Sequence, residues 1–308
     1  MALLEVNNLN VYYPIRGGIL GGIQGYVKAV DGVSFRIEEG ETMGLVGESG
    51  SGKSTTGKAI IGLAKITGGQ ILFNKEDITE YIGKNHSPYR KSVQMIFQDS
   101  YSSLNPKKRV LDIIAEPLRN FEKLTNAEER KRVDELLDIV GLTPDTAVKY
   151  PHEFSGGQRQ RIGIARAMAL NPRLIIADEP VSALDLSVQA QVLNFMKDIQ
   201  KRFKLTYLFI SHDLGVVEHM CSTIAIMHKG RFVEAGKKEN IYRDPKHIYT
   251  KRLIAAIPDI NPRRREETQV FRDKIAEEYI QKYNEYYNAN DQVYDLKKIS
   301  DNHYVALP

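Results

Sequence analysis

A chain of 308 residues, 42% of them hydrophobic and 27% charged, is long enough to bury a full α/β core with an appendage, and its composition excludes a disordered protein. A formal net charge of +4 is small for that length and gives no case for nucleic acid as a partner. The single cysteine, Cys221, excludes an intrachain disulfide and a cysteine-held cluster, and its place beside Ile224–Met227 predicts a small buried side chain.

The N-terminus lacks the basic and long apolar segments of a signal peptide, and no apolar run approaches the roughly 20 residues that span a bilayer. A cytosolic protein is therefore expected, with any membrane role exercised through partner subunits. The first 40 residues predict two antiparallel strands, Leu3–Tyr13 and Tyr26–Ile37. Between them Gly17, Gly18, Gly21, Gly22 and Gly25 predict a loose, mobile loop. Thr42–Val46 then reads as a short buried strand, followed by a glycine loop and a helix over Lys53–Leu63.

Residues 110–170 change character and predict an inserted helical subdomain, about 99–170 in extent. Thr125-Asn-Ala-Glu128 has the form of a capping box, and Val133, Leu136, Leu137 and Val140 share one face of the helix that Gly141 stops. Apolar strands return at Leu174–Ala177, Leu205–Ile210 and Thr223–Met227, with a helix over about 187–202, which predicts a mostly parallel sheet. Beyond Pro258 the run Arg263–Arg265 predicts a solvated turn. Residues 264–288, with Tyr279, Tyr283, Tyr286 and Tyr287, predict a solvated helix. Gln292–Leu296 and His303–Leu307 predict a hairpin about Ser-Asp-Asn. The division expected is 1–260 for the main domain and 261–308 for a C-terminal extension, by default a stabilising flap. No internal repeat is seen.

Gly47-Glu-Ser-Gly-Ser-Gly-Lys53-Ser54 matches the phosphate-binding pattern G-x-x-x-x-G-K-[ST] in full. Glycines let successive N–H groups turn inward around a phosphate, and the helix that follows adds its dipole and unpaired donors. Gly47, Glu48, Ser49, Gly50, Ser51, Gly52, Lys53, Ser54 and Thr55 are thus the candidate ATP ligands, with Lys53 toward the β- and γ-phosphates and Ser54 toward Mg²⁺. Leu174-Ile-Ile-Ala-Asp178-Glu179 sets two carboxylates at a strand end: Asp178 for Mg²⁺, and Glu179 to orient and deprotonate the attacking water.

Phe154-Ser-Gly-Gly-Gln-Arg-Gln160 resembles the signature motif of ABC ATPases, ahead of a helix Gln158–Leu170. The resemblance covers about residues 3–260 and implies a P-loop NTPase core of α/β class with an antiparallel β subdomain and a helical subdomain. It implies that Ser155, Gly156, Gly157 and Gln158 cap ATP held by an opposite subunit, so that two chains sandwich two nucleotides. Gln98 is similar to the Q-loop glutamine at Mg²⁺ or the lytic water, Asp185 to the D-loop, and His212 to the switch histidine. Tyr13, or alternatively Tyr12, stands where an aromatic stacks on adenine.

Gln98–Pro106, Tyr150–Ser155, Tyr242–Thr250 and Ala255–Pro258 resemble the oligopeptide/dipeptide permease ATPases. That resemblance implies a second, homologous ATPase subunit, two multi-span permease subunits and an extracytoplasmic peptide-binding protein, with the chain at the cytoplasmic face of the membrane. Nickel or another small solute remains an alternative cargo. An exporter, or a soluble ABC protein of translation or repair, remains an alternative role.

Overall fold

Residues 1–17, 22–82, 87–99, 103–257 and 265–308 are described in the computed structural model. Strand β1 (Ala2–Gly17) pairs antiparallel with β2 (Gly22–Glu38), and the two join β4 (Gly68–Phe73) and β5 (Glu76–Asp77) in a four-stranded sheet ordered β2-β1-β4-β5. Both long strands run past the expected ends at Tyr13 and Tyr26. Pairing continues through Ile15↔Gly25 and Arg16↔Ile23 to Gly17↔Gly22, so the residues expected to be loose on either side of 18–21 belong to a ladder. Strand-favouring side chains outweigh the glycines there, and Ile15 lies over Gly25. Gly18 and Gly21 lie outside the described residues.

The second sheet has eight strands: β3 (Thr42–Val46), β6 (Val93–Ile96), β7 (Leu174–Asp178), β8 (Thr206–Ser211), β9 (Thr223–His228), β10 (Arg231–Lys237), β11 (Leu296–Ser300) and β12 (His303–Ala306), in the order β11-β12-β10-β9-β3-β8-β7-β6. From β9 to β6 all neighbours are parallel. Every residue of β3, β7 and β8 is buried, as the continuous apolar runs of parallel strands require. Crossovers run through α1 (Lys53–Ile60), α6 (Leu186–Phe203) and α7 (Leu214–Met220); a short α2 (Ser87–Ser92) precedes β6.

Between β6 and β7 lie α3 (Val110–Phe121), α4 (Asn126–Ile139) and α5 (Gly156–Met168), with Ile113, Ile114, Leu118, Val133, Leu136 and Ile162 in their shared core. The capping box of α4 forms as expected: the Glu128 N–H donates to Thr125 Oγ1 at 3.3 Å and the Thr125 N–H to Glu128 Oε2 at 2.8 Å. Cys221 is buried, as expected.

After β10 come α8 (Lys238–Arg243), α9 (Ile248–Ala255), α10 (Arg265–Gln281) and α11 (Tyr283–Tyr286). Of the arginine run, residues 263 and 264 lie outside the described residues. The helical reading of 264–288 holds, but not its solvation. Tyr287 is buried, Tyr279, Tyr283 and Tyr286 are partly buried against the hydrophobic core, and the Tyr286 ring meets that of His247. The hairpin also exists, with its first strand four residues later than expected. Val293 is used in an isolated bridge to Tyr287, and Ser300↔His303 closes a two-residue Asp301-Asn302 turn. Strand β12 then pairs with β10 (Glu234↔Val305), so the extension completes the large sheet. Among the described residues no helix is long and apolar enough to cross a membrane.

Candidate functional site

The parallel strands β9, β3, β8, β7 and β6 deliver their carboxyl ends to one edge of the sheet, where open α/β sheets bind ligands. The loop 47–52 follows β3, Gln98 follows β6, Asp178 and Glu179 end β7, and His212 follows β8.

The loop is pressed between two backbones. A Cβ on Gly47 would fall 2.2 Å from the Met227 carbonyl oxygen, and one on Gly52 2.2 Å from that of Ala29. Gly52, at φ 107°, turns the chain directly into α1, which begins with no side-chain cap and no acidic residue in its first turn. The first-turn N–H groups and the helix dipole are thereby left to an anion. Lys53 is 4% exposed, and its Nζ donates to the Glu48 carbonyl at 2.8 Å. Burial lowers its pKa, while Glu179, Asp178 and Glu48 oppose that shift.

Across the loop, Ser54 Oγ donates to Asp178 Oδ1 at 2.8 Å. Asp178 is buried, which raises its pKa against the counteracting Ser54 hydrogen bond and the nearby lysines. A hydroxyl and a carboxylate in contact are the hard oxygen donors that suit Mg²⁺.

Glu179 occupies left-handed backbone at φ 47° and donates its N–H to the Ile210 carbonyl on β8 at 2.9 Å. Its carboxylate is held from both sides: Gln98 Nε2 lies 2.9 Å from Oε2, and His212 Nδ1 lies 3.2 Å from Oε1. Residues 81 and 33 positions apart from Glu179 in the chain thus meet on one carboxylate. With its amide nitrogen so used, Gln98 leaves its carbonyl oxygen as a further hard donor.

Ser155 and Gln158 form the cap of α5, with the Ser155 N–H donating to Gln158 Oε1 at 3.0 Å and the Gln158 N–H to Ser155 Oγ at 3.3 Å. Gly156 and Gly157 lie against Leu184 and Val188, where a Cβ on Gly157 would sit 2.5 Å from Val188 Cγ1. Asp185 caps α6 by accepting the Val188 N–H at 3.0 Å, and this bond holds its pKa low. Ser155–Gln158 and Asp185 are therefore one packed unit. No hydrogen bond among the described residues ties it to the loop 47–55.

Tyr12 is committed elsewhere, its hydroxyl bonded to Asp31 and Asn10 and its ring under Lys28. Tyr13 is 45% exposed and pairs with Val27, two residues from the carbonyl that touches Gly52. It is the tyrosine of the two available to a base. Glu48 departs from expectation. Its N–H donates to Tyr249 Oη at 3.1 Å and its carboxylate pairs with Arg252, both on α9, so these groups face away from the anion side. Arg166, 63 residues from Ser103, donates to the Ser103 carbonyl at 2.7 Å and ties α5 to the segment after Gln98. A groove of about 670 Å³ opens there, lined by Lys58, Phe97, Gln98, Asp99, Ser103 and Arg166.

A phosphate loop, a Ser–Asp pair and a braced carboxylate at the edge of one parallel sheet, beside a helical subdomain that carries a capped glycine pair, define a cassette-type P-loop ATPase. The comparisons agree. Residues 30–182 match the ABC transporter family, and residues 233–282 match the C-terminal region of oligopeptide/dipeptide transporters. The chain is 56% identical over 306 residues to the oligopeptide transport ATP-binding protein OppF of Lactococcus lactis, spanning 99% of this chain and 96% of that one. It is 53% identical over 257 residues to the oligopeptide transport ATP-binding protein AppF of Bacillus subtilis, spanning 83% and 78%. Among solved structures, the dimeric post-hydrolysis state of the cassette MJ0796 bound to ADP and Pi aligns with a TM-score of 0.66 at 28% identity, covering 76% of this chain and 98% of that one. The chain belongs to the ABC transporter ATPase family and carries the C-terminal region of its oligopeptide/dipeptide members.

Proposed function

We propose that this chain powers the import of oligopeptides or dipeptides by hydrolysing ATP as one half of a nucleotide-sandwich dimer. The observation that carries the hydrolytic part is the convergence of Gln98 and His212 on the Glu179 carboxylate. In this reading Lys53 and the N–H groups of the loop 47–55, that of Glu48 excepted, hold the β- and γ-phosphates, and Tyr13 supports the adenine. Ser54, Asp178 and the Gln98 carbonyl would hold Mg²⁺, which when bound neutralises charge on the phosphate oxygens. Glu179 orients a water and takes its proton as the water oxygen bonds to the γ-phosphorus. The bond to the ADP oxygen breaks, and phosphate and ADP leave. His212 and Gln98 keep the carboxylate aimed. Ser155, Gly156, Gly157, Gln158 and Asp185 cap the nucleotide of the opposite chain.

The peptide cargo rests on the C-terminal match at residues 233–282 and on the similarity to OppF and AppF. The partners that follow are a second ATPase, two multi-span permeases and an extracytoplasmic peptide-binding protein, with the chain peripheral at the cytoplasmic face. The groove beside Gln98 is the surface assigned to a permease, because movement there reaches Glu179 through one amide. Residues 261–308 act as an extension of the 1–260 ATPase unit, and about 99–170 as its helical subdomain.

The test is affinity purification of the chain from detergent-solubilised membranes. Recovery of a second ATPase, two multi-span proteins and a peptide-binding protein is expected. Recovery of ribosomal or repair proteins without membrane proteins would overturn transport and leave the ATPase chemistry standing.

A further inference from the structure

The phosphate loop has a rear face, and the chain has built contacts onto it that hydrolysis does not use. Tyr249 Oη accepts the Glu48 N–H at 3.1 Å, and Arg252, one turn further along α9, pairs with the Glu48 carboxylate. The Arg252 guanidinium lies over the Tyr249 ring at 5.4 Å and over the Tyr279 ring of α10 at 4.4 Å. A second line of contacts runs beneath the loop. The Met227 carbonyl faces Gly47, and the Gly230 N–H donates to the Ser51 carbonyl at 3.0 Å. Between them, the His228 ring stacks on Tyr249 at 4.1 Å with its Nδ1 2.9 Å from Tyr287 Oη, and Lys229 donates to Tyr283 at 2.7 Å and pairs with Asp291.

We infer that Tyr249 and Arg252 are positioning residues of the nucleotide site: they hold Glu48, and with it the loop backbone, in its phosphate-binding shape, and residues 279–291 of the C-terminal extension hold them in turn. The inference rests on the reading that residues 47–55 bind ATP. Its physical basis is preorganisation. Backbone freedom removed before the nucleotide arrives is not lost on binding, so bracing from behind strengthens affinity without touching the ligand. Both lines of contact start in the extension and end on the loop, which gives the extension a task in nucleotide affinity as well as in completing the sheet.

The experiment titrates the full-length chain and its variants with MgATP, with Tyr249→Phe removing only the hydroxyl and Arg252→Met keeping the aliphatic stem. The Kd for ATP should weaken about three- to tenfold in Tyr249→Phe, as loss of one hydrogen bond implies. In the assembled transporter KM should rise similarly while kcat stays within about twofold, since uniform binding is what is lost. Tyr287→Phe, which never touches the loop, should shift the Kd in the same direction, and Glu48→Gln added to Arg252→Met should add nothing further. A merely structural role would lower the melting temperature without this split between KM and kcat. If the wild type binds MgATP and Tyr249→Phe and Arg252→Met, both folded, bind it equally well, the inference fails alone. If the wild type binds no ATP, the reading of residues 47–55 fails with it.

Discussion

Glu179 sits at a backbone angle that non-glycine residues avoid, at a cost on the order of 1–3 kcal/mol, and the structure retains it there. The return is aim. Its N–H is pinned to β8 and its two carboxylate oxygens meet Gln98 Nε2 and His212 Nδ1, from the segments after β6 and β8. A carboxylate so held can accept a proton from a water without reorganising first. Glu179→Gln keeps the size of the side chain but removes the basic oxygen, and its amide can accept a hydrogen bond at only one end. We expect ATP binding within a few-fold of wild type and turnover reduced by about 10²–10⁴-fold, the usual worth of a general base. Phosphate release by the assembled transporter, beside direct nucleotide binding, measures both. Turnover near the wild-type rate would remove Glu179 from the role.

At the scale of elements, what the sequence made legible was local. Gly47–Ser54, Asp178-Glu179 and the Thr125/Glu128 capping box each lie within a few residues and announce their own geometry, and the structure forms all three. What was not legible depends on distant partners. Glu48 meets Tyr249 across 201 positions, and no local pattern marks a tyrosine as the acceptor for a phosphate-loop N–H. Likewise, Tyr286 and Tyr287 looked solvated because the ring partners that pack on them, His228 and His247, belong to other elements. The first hairpin strand slipped for a related reason, since alternation between 292 and 300 does not say which residues pair.

That same cluster makes stability depend on pH. Burial depresses His228 to about 4, helped by Lys229, and His247 to about 3, helped by His228. An unfolded chain takes up those protons near pH 6.5, so between there and the folded values protonation favours unfolding. Stability should be full above pH 6.5 and fall on acidification by about 1.4 kcal/mol per pH unit for each histidine. It should level off for His228 below about 4. Urea unfolding between pH 7.5 and 4.5 measures the slope. His247→Asn preserves a cap acceptor for the Tyr249 N–H, now supplied by His247 Nδ1 at 3.1 Å, and should remove one histidine's share of the slope. An unchanged slope in that variant would show that His247 does not carry the effect.

At the scale of the whole molecule, the proposed function gives one chain two half-sites. The loop 47–55 with Glu179 forms one, and the Ser155–Gln158 cap packed on Asp185 forms the other. Ser155 is exposed, Leu186 beside Asp185 is 82% exposed, and among the described residues no hydrogen bond joins the two halves. An exposed helix N-terminus suits an anion delivered by another molecule better than one held by its own chain. The arrangement makes a prediction about which chain retains nucleotide. In the assembled transporter, Lys53→Met should abolish retention of a photoreactive ATP analogue on this chain and spare the second ATPase. Ser155→Arg should do the reverse, because its bulk and charge disturb the cap over the other chain's nucleotide. Labelling after washing, read chain by chain on a gel, distinguishes the two patterns. Loss of label from this chain alone in Ser155→Arg would mean that the cap closes on its own loop, and the sandwich arrangement would fall while the chemistry at Glu179 stood.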